Sequence, residues 1–416
     1  MSATAAAGRP RETSSRPPRI LYVAYWGAME PLGQALILPV VRELARRGAA
    51  LTLVTFEKPS DAVRPDLTGT TAAALESAGV AWQPLGYHKT PRIPATAYDV
   101  FRGWLRGVFG IRRARVDLVL GRTFIGGIVG RTIASTLRVP FVFHNEGFYP
   151  DEMVDGGFWA AGSLIHRTAK LIEAQLYDSA DGVIVLSSSA AREVSARPRL
   201  RSRRTPVAIV PSCVDLERFQ PRSGPRDDRE PLSIVYSGAV GGRYQLDRAG
   251  RFTAILAQSR DVRLRVYTRE PAATVARLLR TAGLDDQLWT CESLPHQEMP
   301  ARLARADFGL FFLASGTSEH ACSPTKIGEY WASGIPVVTT PGVSDVDAAI
   351  DRFRCGVVLR GHSDAEYARA SREIQLLLGD PGLAARCRAA GEEHYSLRAA
   401  TDRQIELLRD LARQTR

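Results

Sequence analysis

The chain of 416 residues is too long for one ordinary domain, and its hydrophobic content of 45% is that of a globular protein. No apolar run reaches the ~18 residues of a membrane span. The net charge of +11 suits phosphates, anionic lipid or nucleic acid as partners, and an arginine-rich composition without a binding role explains it equally well. Because the sequence contains no zinc-finger or RNA-recognition motif, nucleic acid is not predicted as a partner.

The first 17 residues are rich in Ala, Ser, Arg and Pro and lack the apolar core of a signal peptide. They predict a disordered tail. The five cysteines are scattered, with neither metal-ligand spacing nor a disulfide framework, which favours a reducing cytoplasm and no metal site. Because the surface is basic, the sequence leaves open whether the protein lies at the inner surface of a membrane.

A strand–loop–helix–strand unit opens the first domain, which is predicted over residues 18–219. The first strand is followed by a loop with Gly27 and Gly33, a helix and a second strand. Such a unit begins a doubly wound parallel sheet. Gly33 either relieves a tight turn or lets a ligand approach the backbone closely. The strands predicted for this domain are 20–25, 50–55, 80–84, 116–120, 141–144, 182–186 and 207–210.

A linker whose only large apolar residues are prolines is predicted at 220–231. A second α/β domain is predicted over 232–395. Residues 396–416 predict an amphipathic helix, and the sequence leaves open whether this helix crosses back to the first domain. Two sheets of this kind leave a cleft between them, where ligands bind. The strands predicted for the second domain are 232–236, 262–267, 288–291, 308–312, 337–339 and 356–359.

The segment 323–342 is the most informative part of the chain. Ser323 and Thr325 are good helix caps and open a predicted helix. A helix start attracts phosphate, and Lys326 adds a positive charge beside it. Glu329 lies further along the helix, where its carboxylate can accept two hydrogen bonds from a vicinal diol such as ribose. This arrangement suits a nucleotide-diphosphate sugar, which would be a substrate, so no cofactor is predicted.

Five segments, in this order, resemble the retaining glycosyltransferases of family 4, which use the GT-B fold. The resemblance covers roughly residues 18 to 395. It implies two Rossmann-like, doubly wound parallel-sheet domains that face a central cleft, the first on the acceptor side and the second binding the nucleotide sugar. The segments are the first strand with its Gly-containing loop, Val-Phe-His-Asn-Glu-Gly at 142–147, Ala-Asp-Gly-Val-Ile-Val-Leu-Ser at 180–187, Val-Pro-Ser-Cys-Val-Asp-Leu-Glu-Arg-Phe at 210–219 and Ser-Pro-Thr-Lys at 323–326.

The same resemblance implies the reaction and its residues. A sugar passes from a nucleotide donor, usually UDP-linked, to a hydroxyl acceptor with retention of configuration and without a metal ion. His144, at the end of a predicted strand, corresponds to a histidine that contacts the donor sugar or the reacting centre. His144, Lys326 and Arg243 are the candidate catalytic residues. The candidate donor-binding residues are Gly33, Gly238, Ser323, Pro324, Thr325, Lys326, Ile327 and Glu329.

The sequence departs from the family pattern at two places. The first of two glutamates usually found eight positions apart is Ala321 here, and Glu319 lies two residues early. Ala239 and Gln245 occupy the usual places of an arginine and a lysine in the second domain's first loop. Arg243 is the nearest substitute for that pair.

Two further segments are open to a binding or a structural interpretation. Glu146, Tyr149, Asp151 and Glu152 suit the hydroxyls of an acceptor, and they also suit an exposed loop. Residues 101–115 carry large apolar side chains among five arginines. They predict either an interfacial membrane helix or a helix that packs its apolar face on its own sheet.

The predicted function is transfer of a sugar to a hydroxyl acceptor such as a glycan, a lipid-linked sugar or a small molecule. Two alternatives stay open. A nucleotide-sugar 2-epimerase would bind the same donor without an acceptor. A non-catalytic partner subunit with the same fold would lack turnover, and the alanine at 321 motivates this alternative.

Overall fold

The computed structural model describes residues 16–110, 115–224 and 230–414. Within them the chain forms two parallel sheets, of seven and six strands. These sheets confirm the predicted class of two Rossmann-like domains. The predicted tail at 1–17, the linker at 220–231 and the helix at 101–115 lie partly outside the described residues.

The seven strands of the first sheet follow one another along the first half of the chain, and the six strands of the second sheet follow along the second half. The strands are β1 Arg19–Ala24, β2 Ala50–Glu57, β3 Ala81–Gly86, β4 Leu118–Arg122, β5 Phe141–His144, β6 Gly182–Val185, β7 Val207–Ile209, β8 Leu232–Ser237, β9 Val262–Tyr267, β10 Trp289–Glu292, β11 Phe308–Phe311, β12 Val337–Thr339 and β13 Gly356–Val358.

Helices connect the strands, and single turns of π-helix at Gly33–Ile37 and of 3-10 helix at Asp286–Leu288, His296–Glu298 and Glu319–Ala321 supplement them. Pro39 lies in the first turn of α1, where its missing N–H costs no hydrogen bond. The helices are α1 Leu38–Arg46, α2 Pro59–Ala62, α3 Pro65–Glu76, α4 Arg92–Gly110, α5 Thr123–Leu137, α6 Tyr149–Asp155, α7 Leu164–Ser179, α8 Ser188–Ser195, α9 Pro198–Arg203, α10 Leu246–Leu256, α11 Ala272–Thr281, α12 Met299–Leu303, α13 Thr325–Ala332, α14 Val346–Phe353, α15 Asp364–Leu378, α16 Leu383–Tyr395 and α17 Leu397–Gln414. Among the described residues, none of these helices combines the length and the apolar character that crossing a bilayer needs.

The strand orders are those of doubly wound sheets. The first sheet has the order β3-β2-β1-β4-β5-β6-β7 and the second has the order β10-β9-β8-β11-β12-β13. In each sheet the winding reverses beside the first strand, between β1 and β4 and between β8 and β11. Ligands bind at the carboxyl ends of the strands near such a reversal.

Both faces of the first sheet are buried, which explains its continuous apolar strands. Leu21 and Val23 point into a layer formed by α4, α5 and α7. Ile20 and Tyr22 point to the opposite face, where α1, α3 and α17 cover the sheet. The second sheet is covered in the same way, by α10, α11 and α15 on one face and by α13, α14 and α16 on the other.

Helix α17 packs on the first domain although it follows the second domain in the chain. Its residues Ile405, Leu408 and Leu411 belong to the core beneath the first sheet. The chain passes between the domains twice, near Val214 and near Ser396. The two passages lie side by side, because Val214 and Ser396 form a parallel β-bridge. The two domains are therefore joined by two paired strands of chain.

The packing of α17 predicts that a truncation on this helix destabilises the first domain. Leu408 is completely buried, and replacing a buried Leu by Ala costs about 2–5 kcal/mol in unfolding free energy. We expect Leu408→Ala to show this loss in denaturant unfolding. The matched control is Glu406→Ala, an exposed position on the same helix, which should change stability by less than about 0.5 kcal/mol. Equal effects of the two substitutions would contradict the packing.

Candidate active site

Helix α13 begins at the interface of the two domains. Its N-cap residue is Pro324, and no side chain among the described residues caps the start. Capping by Ser323 is therefore a wrong prediction. The Ser323 Oγ accepts a hydrogen bond of 3.1 Å from the Ser212 N–H, in the segment that leaves the first sheet. The first N–H groups of the helix are consequently left for a ligand, and they favour an anion.

Glu329 is held on this helix by two cationic or donor groups. The residue is 2% exposed, its Oε1 lies 3.1 Å from His296 Nε2, and its Oε2 lies 3.4 Å from Lys326 Nζ. Burial alone would raise the pKa of Glu329, but Lys326 and His296 outweigh it and keep the pKa below its ordinary value. The carboxylate is therefore ionised, and it retains lone pairs that can accept hydrogen bonds from a diol.

His296 is oriented by a neighbour on its other side. Its Nδ1 lies 3.3 Å from Arg218 Nη1, and its backbone carbonyl accepts a hydrogen bond from Arg218 Nη2 at 2.7 Å. A guanidinium can only donate, so Nδ1 is the acceptor and Nε2 carries the proton that is donated to Glu329. Arg218, His296 and Glu329 thus form a chain of hydrogen bonds that fixes the carboxylate.

Gly238 faces the start of α13 from the first loop of the second domain. Its φ of +129° is a conformation that other residues rarely adopt, and a Cβ there would lie 3.9 Å from Lys326 Cε. The backbone N–H of Gly238 donates to the Tyr267 carbonyl at 2.9 Å. The loop therefore brings bare backbone beside the Lys326 side chain, which is 28% exposed.

Arg243, from the same loop, meets Glu152 of the first domain. Their nearest atoms, Nη1 and Oε1, are 3.8 Å apart, and Arg243 Nε is buried without a partner among the described residues. Burial raises the pKa of Glu152 to about 7, although Arg243 opposes the shift. Both charges also act on the thiol of Cys322, whose pKa burial raises to about 12. The pair therefore lies next to the residues that precede α13.

His144, the last residue of β5, is 3% exposed. Neither of its ring nitrogens has a hydrogen-bond partner within the described part of the chain. Burial and the charge of Arg122 lower its pKa well below 6.5, so the imidazole is neutral at neutral pH. A neutral ring offers one donor and one acceptor, and a buried ring that uses neither suits contact with a ligand.

Glu146 forms a buried ion pair with Arg122. The Glu146 side chain is 9% exposed, and its Oε1 is bonded to Arg122 Nη2. Arg122 Nη1 in turn donates to the Tyr22 hydroxyl at 2.9 Å and to the Leu36 carbonyl at 2.8 Å. The interpretation of Glu146 as an exposed loop residue is therefore wrong. Its Oε2 is buried without a partner in the described residues, which leaves one oxygen for an acceptor.

Neither Ala321 nor Glu319 supplies a carboxylate to the donor. Ala321 is 1% exposed and belongs to the apolar cluster of the first domain that also contains Phe148, so this position lies in the contact between the domains. Both carboxylate oxygens of Glu319 lie within 2.8 Å of the Gly316 N–H. Glu319 therefore stabilises its own turn.

Gly33 and Ile327 each have a structural role that is independent of donor binding. A Cβ at Gly33 would lie 2.0 Å from the Gly27 carbonyl oxygen, so the loop after β1 requires a glycine there for its own backbone packing. The loop is held by Glu57, which accepts a hydrogen bond of 2.8 Å from the Ala28 N–H. The side chain of Ile327 is completely buried in the core of the second domain.

Tyr149 and Asp151 lie on α6 and are engaged within the first domain. The Tyr149 ring stacks on Phe124, with 5.0 Å between the ring centroids, and meets Trp159 edge-on. Asp151 accepts a hydrogen bond of 2.8 Å from Lys170 Nζ on α7. These contacts hold α6, which also carries Glu152, in place on the first domain. Because the carboxylate of Asp151 already binds Lys170, Asp151 is a weaker candidate for acceptor binding.

The sequence analysis missed His296 and Asp155. His296 follows the carboxyl end of β10 by four residues, and this position was the signal that could have identified it. Asp155 accepts hydrogen bonds of 2.9 Å from the N–H groups of both Thr317 and Ser318 in the second domain. No local sequence pattern predicts a contact between segments so far apart in the chain.

Comparison with known proteins agrees with this architecture. Residues 33–213 match the Glycosyl transferase 4-like domain family. A D-inositol 3-phosphate glycosyltransferase of Streptomyces avermitilis is 25% identical over 384 residues, which are 85% of this chain and 77% of that protein. Together these similarities support a glycosyltransferase.

Solved structures establish the fold as GT-B. Sucrose-phosphate synthase of Thermosynechococcus elongatus superposes with a TM-score of 0.67 at 17% identity and covers 95% of this chain and 99% of its own. Anabaena Alr3699/HepE, solved in complex with UDP and glucose, superposes with a TM-score of 0.64 at 12% identity and covers 94% of this chain and 98% of its own.

The raised pKa of Glu152 predicts a pH-dependent stability. At low pH the carboxyl is protonated in the folded and the unfolded chain. As the pH rises from 4.5 to about 7, only the unfolded chain releases the proton, so the free energy of unfolding falls. We expect Glu152→Gln to abolish this loss and to gain on the order of 1–2 kcal/mol over the wild type between about pH 5 and about pH 8.

Denaturant unfolding at both pH values measures this difference. Glu298→Gln, the same substitution at an exposed position, is the control and should show no pH-dependent gain. A gain of Glu152→Gln that is equal at both pH values would exclude the raised pKa.

Proposed function

We propose that the protein transfers a sugar from a nucleotide-diphosphate donor, UDP-linked, to a hydroxyl acceptor, with retained configuration and without a metal ion. The observation that carries this proposal is the group formed by the uncapped start of α13, Lys326 and the ionised, buried Glu329. Glycosyltransferase similarity and the complex of a GT-B neighbour with UDP and glucose support it.

The diphosphate of the donor would lie at the start of α13. The helix N–H groups, the bare backbone at Gly238 and the Lys326 ammonium converge there. These groups are oriented before the reaction begins, so they can stabilise the negative charge that grows on the leaving diphosphate. Breaking the bond between the anomeric carbon and the diphosphate is the demanding step, and its transition state gains most from such groups.

The ribose diol would be bound by Glu329. Its carboxylate stays ionised because Lys326 and His296 outweigh the effect of burial. A hydrogen bond from a hydroxyl to a buried carboxylate is charge-assisted and strong. In this assignment His296 is a positioning residue, since it acts through Glu329.

The acceptor would approach from the first domain, past Glu152 and His144. With a pKa of about 7, Glu152 is uncharged in part of the population, which limits its repulsion of an anionic donor. His144 is neutral and has both ring nitrogens free of partners among the described residues. Attack on the face that the diphosphate leaves would let a phosphate oxygen take the acceptor proton, so a carboxylate base is not required for that step.

An assay of donor turnover distinguishes the proposed function from its alternatives. The full chain is incubated with UDP-sugars and a panel of hydroxyl acceptors, and UDP release is recorded. We expect release that depends on acceptor and persists with a metal chelator. Conversion of the donor sugar without acceptor would identify an epimerase, and donor binding without turnover on any acceptor would identify a non-catalytic homologue.

The assignment of Glu329 predicts a loss of donor affinity. Glu329→Gln keeps the size of the side chain but removes its charge, and hydrogen bonds to charged groups contribute about 1.5–3 kcal/mol. We therefore expect the Kd for UDP, measured by calorimetry, to rise by about 10-fold to 100-fold. The exposed Glu298, two residues from His296, provides the matched control Glu298→Gln, which should bind UDP like the wild type.

The role of His296 predicts an intermediate effect. His296→Ala leaves the charge of Glu329 in place but removes the bond that orients it. We expect a Kd for UDP that lies between those of the wild type and Glu329→Gln, and little further loss when both substitutions are combined. Independent, additive losses would show that His296 does not act through Glu329.

A further inference from the structure

Small residues of helix α4 (Arg92–Gly110) face the first domain, and several of its large apolar residues stay exposed. Its buried side includes Ala95, Asp99, Gly103 and Gly107, each four residues after the one before, together with Val108. A helix that only packs on a domain core leaves few of its large apolar side chains exposed. Val100, Trp104 and Val108 pack on the core of the first domain, as the second interpretation of this segment predicts, but other large apolar residues of α4 stay exposed.

Close packing excludes large side chains from the inner side. A Cβ at Gly103 would lie 2.9 Å from both Phe56 Cζ and Val129 Cγ1, and a Cβ at Gly107 would lie 2.3 Å from Ile133 Cδ1. The helix thus approaches α5 through its glycines. The exposed apolar residues of α4 are not needed for this contact.

Helix α4 exposes several large apolar residues, which we call the α4 face. Ile93 is 71% exposed, Tyr98 52%, Phe101 54% and Leu105 41%. Residues such as these, clustered on one helix, are typical of an interaction surface and not of scattered surface side chains.

Charges of one sign border the α4 face. Of the described residues from 87 to 110 and residue 115, five are lysine or arginine and a single one is acidic. The acidic residue, Asp99, is completely buried and accepts a hydrogen bond from the Tyr25 hydroxyl at 3.0 Å. The Arg102 guanidinium lies over the Tyr98 ring at 5.6 Å, so cations lie directly beside the apolar side chains.

We propose that the α4 face binds the surface of an anionic lipid bilayer. The apolar side chains would enter the boundary between headgroups and acyl chains, and the arginines would contact lipid phosphates. The charge argues for this partner over a second copy of the chain, because a symmetric contact would bring the same cations together. The inference does not depend on the proposed function, since the binding needs no donor or acceptor.

The position of α4 gives the binding a consequence for the cleft. Asp99 joins α4 to Tyr25, which directly follows β1 at the carboxyl edge of the first sheet. The first turns of α4 therefore lie at the same edge as the candidate site. A bilayer bound to this face would lie beside the entrance on the first domain's side.

Sedimentation with vesicles tests the proposal. The full chain is mixed with vesicles of phosphatidylcholine alone or with about one-third phosphatidylglycerol, and the bound fraction is measured at low and high salt. We expect binding to the anionic vesicles only, weakened by salt. Phe101→Ser combined with Leu105→Ser should weaken binding at least 10-fold, because each buried apolar side chain contributes about 1.5–3 kcal/mol. Arg92→Gln combined with Arg106→Gln should weaken it about 20-fold.

Leu376→Ser is the matched control, since Leu376 is 78% exposed on α15 of the second domain. It should bind like the wild type. All variants change exposed residues and should keep the wild-type melting temperature. A fluorescent NBD group on Leu105→Cys should shift to the blue with anionic vesicles, and the same group on Leu376→Cys should not.

Three results would overturn the proposal. The first is the absence of binding to anionic vesicles, and the second is equal loss in the Leu376→Ser control. The third is a wild-type dimer, seen by sedimentation velocity without lipid, that Phe101→Ser with Leu105→Ser converts to monomer, because the α4 face would then bind a second copy.

Discussion

Parallel strand pairing is the constraint on which the candidate site depends. In a parallel sheet all carboxyl ends lie on one edge, and in this chain the edges of both sheets face the same interface. His144 ends β5, and Gly238 follows β8, so neither needed a special loop to reach the interface. The start of α13 is brought there in the same way, since the chain that leaves β11 must turn back over its sheet. The strand topology therefore decides where the site lies, and the side chains at that place decide its chemistry.

Beside the apolar contact of Ala321, hydrogen bonds connect the two domains. Asp155 bonds to two N–H groups of the opposite domain, and Ser323 bonds to Ser212. Single hydrogen bonds of this kind contribute about 0.5–1.5 kcal/mol each, far less than a continuous apolar core would. The paired segments at Val214 and Ser396 keep the domains together when those bonds open. Two paired chain segments beside weak polar contacts are compatible with opening of the cleft.

The sequence predicted every strand of both sheets to within about two residues, because each is a short apolar run between turn residues. It also predicted Glu329 and Lys326 on one helix, since their spacing is local. Long-range partners were the part that it could not predict. The sequence around Glu146 predicts an acceptor contact or an exposed residue, whereas its partner Arg122 comes from the neighbouring strand β4. The prediction that Ser323 caps α13 is wrong because its Oγ accepts a hydrogen bond from the N–H of Ser212, 111 residues away.

The alanine at 321 has its explanation in this interface. A glutamate there would place a carboxylate in the apolar contact that Ala321 makes with the first domain, where an unpaired charge is costly. Charged side chains come instead from opposite sides of the cleft, as Arg243 and Glu152. Their separation of 3.8 Å is long for an ion pair, and Arg243 keeps one buried N–H without a partner among the described residues. In the proposed reaction an incoming diphosphate carries more charge than Glu152 and can take Arg243 as its partner. Because the carboxyl of Glu152 has a pKa of about 7, it can accept a proton when it loses Arg243, so donor binding need not leave an unpaired buried charge behind.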